Sequence, residues 1–269
     1  MRMNFIFASL NPYPKLIAEL IKHIIMEKSA FISLKSVFNS KFTVMNIAEA
    51  IEPVTLTEAQ SICREKNFNY HLVNDNNPKE LKVYVRETDT ARPVYESELI
   101  SESTSLLDVM ELFNSADHFF VKSGHRITHI VTVSDLDKLP VRLFMFGILC
   151  LFELKIREII RQRKIKWEDL ISNEKLEEIK RRYENKREKD EETTLLDCTD
   201  FGSIVYVILG SKKDFAGYFP VNFFGNGKDE KLLKDAIRLR NAIAHGGIIE
   251  FDHQRVNEII KLLKGVIEK

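Results

Sequence analysis

The hydrophobic pattern of this 269-residue chain changes at Pro140, and that change limits the folds open to it. Between about residue 43 and residue 139, amphipathic stretches with helical spacing, 57–66 and 105–115, alternate with short apolar runs. The runs have the length and composition of strands and lie at 70–73, 81–85, 118–121 and 127–133. Strands that alternate with helices of this length indicate an α/β unit. We therefore expect an α/β module over residues 43–139.

After Pro140 almost every segment has helical periodicity. Proline suits the first turn of a helix because its missing N–H has no partner there. Helices are expected at 141–163, 230–245 and 253–267, with shorter elements at 201–209 and 214–224 and a charged stretch at 173–192. Residues 140–269 are thus predicted to form an all-α domain. Residues 1–42 are predicted to be a helical segment that packs on the first domain.

The charge balance and the cysteine pattern narrow the class of protein. Basic and acidic residues number 40 each, which argues against a non-specific nucleic-acid coat protein but leaves room for a local basic cleft. The three cysteines, Cys63, Cys150 and Cys198, form no CxxC pair, which fits a reducing compartment. The first residues lack the long apolar run of a signal peptide, and the most apolar stretch, 143–152, is too short for a membrane span. We expect a cytoplasmic protein without membrane contact.

Two strand-like runs in the α/β part look like variants of one another. Residues 81–87 read Leu-Lys-Val-Tyr-Val-Arg-Glu, and residues 129–135 read His-Ile-Val-Thr-Val-Ser-Asp. Each run follows a helix, a strand and a turn. We therefore predict an internal repeat of about 50 residues.

The second run carries Thr132, Ser134 and Asp135 at the junction of a strand and a helix. With its flanks it resembles the core of a CBS (cystathionine β-synthase) domain, whose strand ends in a Thr/Ser-x-x-Asp motif. The resemblance covers residues 43–139 and implies a CBS-like pair that binds an adenine nucleotide as a regulator. It implies that Thr132, Ser134 and Asp135 line that site, with the Thr132 hydroxyl near the phosphate and the Asp135 carboxylate on the ribose.

The first half of the repeat departs from this pattern. Tyr84 and Glu87 stand where Thr and Asp would be expected, so a normal nucleotide site is not expected there. In the second half, His129 stands near a position where the family often has glycine. Thr132 and Asp135 also suit helix capping, which would make the module purely structural. Both interpretations are open at the level of sequence.

Near the C-terminus, Arg240, Asn241 and His245 stand at the end of a predicted helix, just before Gly246 and Gly247. Imidazole can give or take a proton near neutral pH, and guanidinium is a planar cation that matches phosphate oxygens. The paired glycines are typical of a helix end. This set of residues suits phosphodiester chemistry.

The pattern Arg-polar-x-x-x-His resembles the signature of HEPN-domain (higher eukaryotes and prokaryotes nucleotide-binding) ribonucleases. Its place near the end of the penultimate helix and the charged stretch 153–158 on an earlier helix are also typical of that family. The resemblance covers residues 141–269 and implies a helical bundle that cleaves single-stranded RNA by attack of a 2′-hydroxyl, with no metal or other cofactor for catalysis. It implies that His245 is the general base or acid, that Arg240 stabilises phosphate charge, and that Asn241 orients either the histidine or the phosphate.

Helix geometry adds a condition to this hypothesis. Positions five apart on a helix differ by about 140°, so Arg240 and His245 of one regular helix cannot easily meet at one phosphate. Either the last turn unwinds at the glycines, or a homodimer assembles the site from two copies of the motif. The resemblance implies the homodimer, and the apolar surface of helix 141–152 is then the expected seam.

Together the resemblances predict a ligand-regulated endoribonuclease of prokaryotic antiviral defence or of a toxin system, acting on RNA and not on DNA. The alternative is a non-enzymatic, nucleotide-responsive regulator or adaptor, since an arginine and a histidine near a helix C-terminus also interact favourably with the helix dipole. A DNA-binding regulator is disfavoured by the neutral net charge. A metal site at His118, His125 and His129 is not expected, because no acidic or thiolate ligand is suitably spaced.

Overall fold

The computed structural model describes residues 41–74, 81–189, 193–225 and 227–269. These residues separate into two compact units, one that ends at Val141 and one that begins at Arg142. The first unit contains two small sheets and the second is helical, so an α/β region is followed by a helical region. The helical segment predicted for residues 1–42 lies outside the described residues, apart from its last two.

The first unit is built on short strands that pair into two sheets. The strands are β1 (Glu49–Ala50), β2 (Tyr70–Val73), β3 (Lys82–Val85), β4 (Thr90–Pro93), β5 (Leu99–Ser101), β6 (His118–Ser123) and β7 (Arg126–Thr132). One sheet has the order β1-β7-β6-β5 and the other the order β2-β3-β4. The four strands expected from sequence correspond to β2, β3, β6 and β7. The additional strands β1, β4 and β5 all lie at sheet edges, where Pro93 of β4 is tolerated because no further strand needs its missing N–H.

The two halves of this unit repeat one order of elements. Helices α1 (Leu56–Glu65) and α2 (Leu106–Leu112) are capped by Thr55 and Ser105, which stand about 50 residues apart, as the predicted repeat requires. Before α1 the chain bridges in parallel to β2 at Val54, and β5 runs parallel to β6. After each helix come two antiparallel strands, β2 with β3 and β6 with β7. Both halves therefore place a parallel backbone contact before the helix and an antiparallel strand pair after it.

The halves meet at equivalent positions, the first residues of β2 and β6. The rings of Tyr70 and His118 stack with their centroids 3.7 Å apart. Asp117 lies between them, accepting a hydrogen bond from the Tyr70 hydroxyl at 2.7 Å and contacting Nδ1 of His118 at 2.8 Å. A shared apolar core lies nearby and contains Ile51, Leu72, Val83 and Phe120.

The described part of the second unit consists of helices, and its first helix is the longest. They are α3 (Leu139–Arg163), α4 (Asn173–Arg187), α5 (Phe201–Gly210), α6 (Lys212–Phe215), α7 (Gly227–Ala244) and α8 (His253–Ile267). Each helix expected from sequence is present, with ends shifted by a few residues; the element expected at 214–224 is instead the short helix α6 followed later by a 3-10 turn at Phe223–Gly225. None of the helices described is both long and apolar enough to cross a membrane.

The apolar side of α3 is buried within the chain. Its buried side chains include Val141, Phe144, Met145, Ile148, Leu149, Leu151 and Phe152. These buried side chains are not available to a second chain, whereas Leu143 and Phe146 of the same helix are half-buried. The expectation that helix 141–152 forms a dimer seam stays a prediction.

The last two helices are joined by a buried ion pair. Asp235 on α7 is 2% exposed, and its Oδ2 accepts hydrogen bonds from Nε and a terminal nitrogen of Arg255 on α8, at 2.9 and 2.7 Å. Arg238 contacts the other carboxylate oxygen at 2.6 Å. These bonds compensate the buried carboxylate and fix α7 against α8.

Candidate functional site

Helix α7 ends in a Schellman motif built on the two glycines after His245. The N–H of Gly247 donates to the carbonyl of Ala242 at 2.8 Å, and the N–H of Gly246 donates to the carbonyl of Ile243 at 3.3 Å. Gly246 has φ +67°, a left-handed conformation that is costly for residues with a Cβ. Arg142 at the start of the helical unit donates to the Gly247 carbonyl at 2.8 Å, which holds the chain just after the helix.

The three predicted catalytic residues lie on the last turns of this helix. Arg240 is half-buried, whereas Asn241 and His245 are exposed. A terminal nitrogen of Arg240 lies 3.4 Å from Oδ1 of Asn241, and the backbone N–H of His245 still donates to the Asn241 carbonyl at 3.0 Å. Because the helix stays regular to Ala244, the last turn does not unwind to bring Arg240 and His245 of one chain together.

A cleft of about 620 Å³ opens beside Arg240 and Asn241. It lies between the start of α4 with the turn before it, the first half of α5, and α7. Its lining residues are Leu170, Ile171, Ser172, Lys175, Asp200, Phe201, Gly202, Ser203, Tyr206, Ile237, Arg240 and Asn241. His245 is not among them, so the helix presents arginine and asparagine to the cleft and histidine to solvent beyond it.

Asp200 and Lys175 form the polar side of the cleft. Burial favours the neutral form of Asp200, but hydrogen bonds from Lys175 and from the amide and hydroxyl of Ser203 outweigh burial and lower its pKa to about 2. The Lys175 ammonium lies 2.6 Å from Asp200 and 2.8 Å from Glu178. Asp200 is also the N-cap of α5, with the Ser203 N–H donating at 2.8 Å. The carboxylate therefore stays ionised at neutral pH and holds both the helix end and the lysine.

A largely buried carboxylate on α3, that of Glu153, interacts electrostatically with Arg240. Burial raises the pKa of Glu153, against the opposite effect of the Arg157 and Arg240 charges. Glu153 and Arg157 form an ion pair, and Arg157 also donates to the Thr199 carbonyl at 2.8 Å. Burial raises the pKa of the nearby Cys150 thiol to about 12, so that thiol is protonated and unreactive at neutral pH. The charged stretch noted in the sequence thus supports the arginine electrostatically.

In the α/β unit, the predicted nucleotide-site residues make a local cap. Oδ2 of Asp135 accepts hydrogen bonds from the N–H and the hydroxyl of Thr132, at 2.7 and 3.0 Å. The other oxygen of Asp135 lies 2.8 Å from the ammonium of Lys138. Asp135 is buried and Ser134 is exposed. The capping arrangement considered from sequence is present, and any nucleotide would have to compete with these contacts.

The equivalent residues of the first half and the three histidines have separate surroundings. Tyr84 is buried, and its hydroxyl donates to Asp89 at 2.7 Å. His118 is buried at one end of β6, His125 is exposed in the turn between β6 and β7, and the His129 ring contacts Thr128. Across the described ranges, no three side chains of the ligating types lie together in a way that could hold a metal ion.

The cleft itself could not be predicted from the sequence. Lys175, Asp200 and Tyr206 lie far from the Arg240 motif along the chain, and no spacing rule connects them. One signal was present in the sequence: Tyr206 is the single large polar residue in the apolar stretch from Ile204 to Ile208. A polar aromatic at such a place has a reason to reach the surface.

Comparison with known proteins found no matching family model, no matching curated protein and no matching solved structure. The CBS and HEPN resemblances therefore rest on the sequence motifs alone.

Proposed function

We propose that this protein is a metal-independent endoribonuclease of the HEPN kind that cleaves single-stranded RNA. The observation that carries the proposal is the end of α7, where Arg240 and Asn241 face a cleft and His245 stands exposed one turn later. An accessible imidazole, a guanidinium and an adjoining cleft are the parts that phosphodiester cleavage without a metal needs.

In the proposed reaction the 2′-hydroxyl oxygen of RNA attacks the adjacent phosphorus. The bond from phosphorus to the 5′-oxygen breaks, which leaves a 2′,3′-cyclic phosphate and a 5′-hydroxyl. His245 removes the proton of the 2′-hydroxyl as general base or supplies the proton of the leaving oxygen as general acid. Arg240 stabilises the charge on the phosphorane oxygens, and Asn241 orients the imidazole or the phosphate. DNA lacks the attacking hydroxyl and is left intact.

Because α7 is regular to its end, we propose that two chains share the catalytic site. Arg240 and His245 of one chain point about 140° apart, so Arg240 of one chain would act with His245 of a second copy in a homodimer.

We propose further that the α/β unit binds an adenine nucleotide near Thr132, Ser134 and Asp135 and that this ligand regulates cleavage. Such regulation requires the nucleotide to bind two states of the dimer with different affinity. A cytoplasmic role in antiviral defence or in a toxin system fits such an enzyme.

The test is cleavage of end-labelled single-stranded RNA in EDTA, with and without AMP and ATP, beside DNA of the same sequence. Wild-type protein is expected to cut the RNA alone, and both His245→Ala and Arg240→Ala are expected to lower the rate at least about 100-fold. Lys234→Ala, on the same helix, and His253→Ala, at the start of α8, are matched controls that should retain activity. Cleavage that EDTA abolishes, or that survives in both motif variants, contradicts the proposal.

The alternative function is a non-enzymatic regulator or adaptor. The observation in its favour is that Arg240 and His245 share no hydrogen bond within the described part of a single chain, so one chain alone holds no assembled site. This alternative predicts that no RNA is cleaved with or without AMP and ATP, even when the protein is in excess.

A further inference from the structure

Tyr206 is an exposed aromatic side chain on a helix that is otherwise largely buried. The buried residues of α5 are Phe201, Ser203, Ile204, Val205, Val207 and Ile208. The Tyr206 side chain remains 56% exposed and lines the cleft beside Arg240. An aromatic ring in this position offers an apolar surface to a ligand in the cleft.

The surroundings of the ring leave room for a flat group. Gly202 lies one turn earlier on the same face of α5, and a Cβ there would come no closer than 3.4 Å to Asp200 and 3.9 Å to Ile237. A Cβ at Gly202 would be in ordinary van der Waals contact, so the room beside the ring is the space of the cleft that both residues line. Leu170 and Ile237 supply apolar surface on the other walls of the cleft.

Of the two cations that line the cleft, Arg240 has the weaker hydrogen-bond contacts among the described residues. Lys175 already contacts the carboxylates of Asp200 and Glu178, which compensate its charge. Arg240 has Asn241 as its hydrogen-bond partner among the described residues, at the long distance of 3.4 Å. Its guanidinium donors are thus available for an anion, and a phosphate is the anion that their planar geometry matches best.

The cleft volume of about 620 Å³ lies within the range of about 300–1,000 Å³ typical of small-ligand sites. It suits one nucleotide whose base is unstacked from its neighbours. Bases inside a duplex are paired and stacked, so they present no free face to an aromatic side chain. A ring, an adjoining space and a guanidinium with one long hydrogen bond among the described residues favour a single strand over a duplex.

We infer that this cleft holds one nucleotide of a single-stranded RNA, with its base stacked on Tyr206 and its phosphate bound by Arg240. The identity of the ligand as RNA substrate rests on the proposed function; the stacking site rests on the cleft itself. Tyr206 binds the substrate next to the phosphate that reacts and takes no part in proton transfer.

The test is fluorescence anisotropy of a labelled single-stranded oligoribonucleotide with the full chain carrying His245→Ala, which prevents cleavage and leaves the cleft lining intact. Adding Tyr206→Ala is expected to weaken binding about tenfold, whereas Tyr206→Phe retains the ring and should bind within about twofold of the parent. Tyr95→Ala, which removes a comparably exposed tyrosine from the α/β unit, is the matched control and should have no effect. A blunt RNA duplex should bind more weakly than the single strand.

Equal affinities for the Tyr206→Ala and Tyr95→Ala proteins would overturn the inference, as would tight binding of the duplex that ignores Tyr206. If AMP displaces the labelled oligonucleotide at a lower concentration than unlabelled RNA does, the cleft belongs to a free nucleotide and the assignment to RNA is overturned.

Failure of the proposed function gives a different set of results. If RNA binds in a Tyr206-dependent way but the wild type never cuts it, the stacking site is supported and the ribonuclease proposal is contradicted. If Tyr206→Ala cuts RNA with an unchanged KM, the stacking site is contradicted and the ribonuclease proposal is supported.

Discussion

At the scale of single residues, Asp135 illustrates how one carboxylate can belong to a local structure and to a proposed ligand site at once. Its oxygens already bind the N–H and hydroxyl of Thr132 and the ammonium of Lys138. Lys138 also donates to the Ile47 carbonyl, so Asp135 contributes to joining β7 and the chain before β1. A ribose can use Asp135 only through the remaining lone pairs of these oxygens.

The Asp135→Ala variant separates these two roles. Loss of the acceptor should lower the free energy of unfolding by about 1–2 kcal/mol, because the Thr132 N–H and the Lys138 charge lose a partner. The exposed neighbour offers the control: Ser134→Ala should change stability by less than about 0.5 kcal/mol. Thermal unfolding with and without AMP or ATP measures both effects. The nucleotide is expected to raise the wild-type Tm and to leave that of Asp135→Ala unchanged; a shift that persists in the variant contradicts a ligand role for this carboxylate.

At the scale of elements, the position of α7 decides where Arg240 points. Two arginines hold the buried Asp235 of this helix, and they differ in exposure: the side chain of Arg255 is 24% exposed and that of Arg238 is 60% exposed. Burial of the first pair makes its electrostatics less screened by water. The contact with α8 is therefore the main polar support of the helix that carries the motif.

We expect Arg255→Leu to lower the free energy of unfolding by about 3 kcal/mol, because it leaves a buried carboxylate with one exposed cation. Arg238→Leu should cost less than about 1 kcal/mol, since it removes the more solvated partner. Urea denaturation at neutral pH measures both. Replacing Asp235 and Arg255 together by leucine should recover part of the loss, as apolar substitution removes the unpaired charge. Equal losses for the two arginine variants would contradict the view that burial sets the strength of this pair.

Elements also mark the limit of what periodicity can predict. The ends of α3, α7 and α8 follow closely from hydrophobic spacing and from the glycines after α7. The edge strands β1 and β5 have two and three residues, too few for an alternating pattern, and β4 reads Thr-Ala-Arg-Pro, which contains no apolar run. Such strands exist because a neighbouring strand supplies hydrogen bonds, which no local pattern records.

At the scale of the whole molecule, the proposed dimer has to form through side chains that remain accessible, since many apolar side chains of α3 are buried within the chain. The structure of one chain still favours a shared site, because α7 remains regular through the motif. A partner has to bring its own α7 end close to the exposed His245.

Mixing two inactive variants tests this arrangement. Arg240→Ala and His245→Ala proteins, mixed in equal amounts and allowed to exchange subunits, should recover about a quarter of the wild-type rate. Half of the dimers are then mixed, and each mixed dimer contains one site with an intact arginine from one chain and an intact histidine from the other. The control is the same mixture without time for exchange, which should stay inactive. Activity that never returns, although exchange is verified by mass, would contradict a site built from one arginine and one histidine of different chains.

The sequence by itself determined the features that depend on neighbours a few positions away. These include the helix end at Gly246 and Gly247, the order of helices after Pro140, and the repeated strand and helix pattern of the α/β unit, all of which arise from hydrogen bonds and spacing within one or two turns. The tertiary structure alone decided that Lys175, Tyr206 and Arg240 line one cleft and that many apolar side chains of α3 are buried. These outcomes depend on how distant helices pack, and packing contacts between residues tens of positions apart leave no periodic trace in the chain.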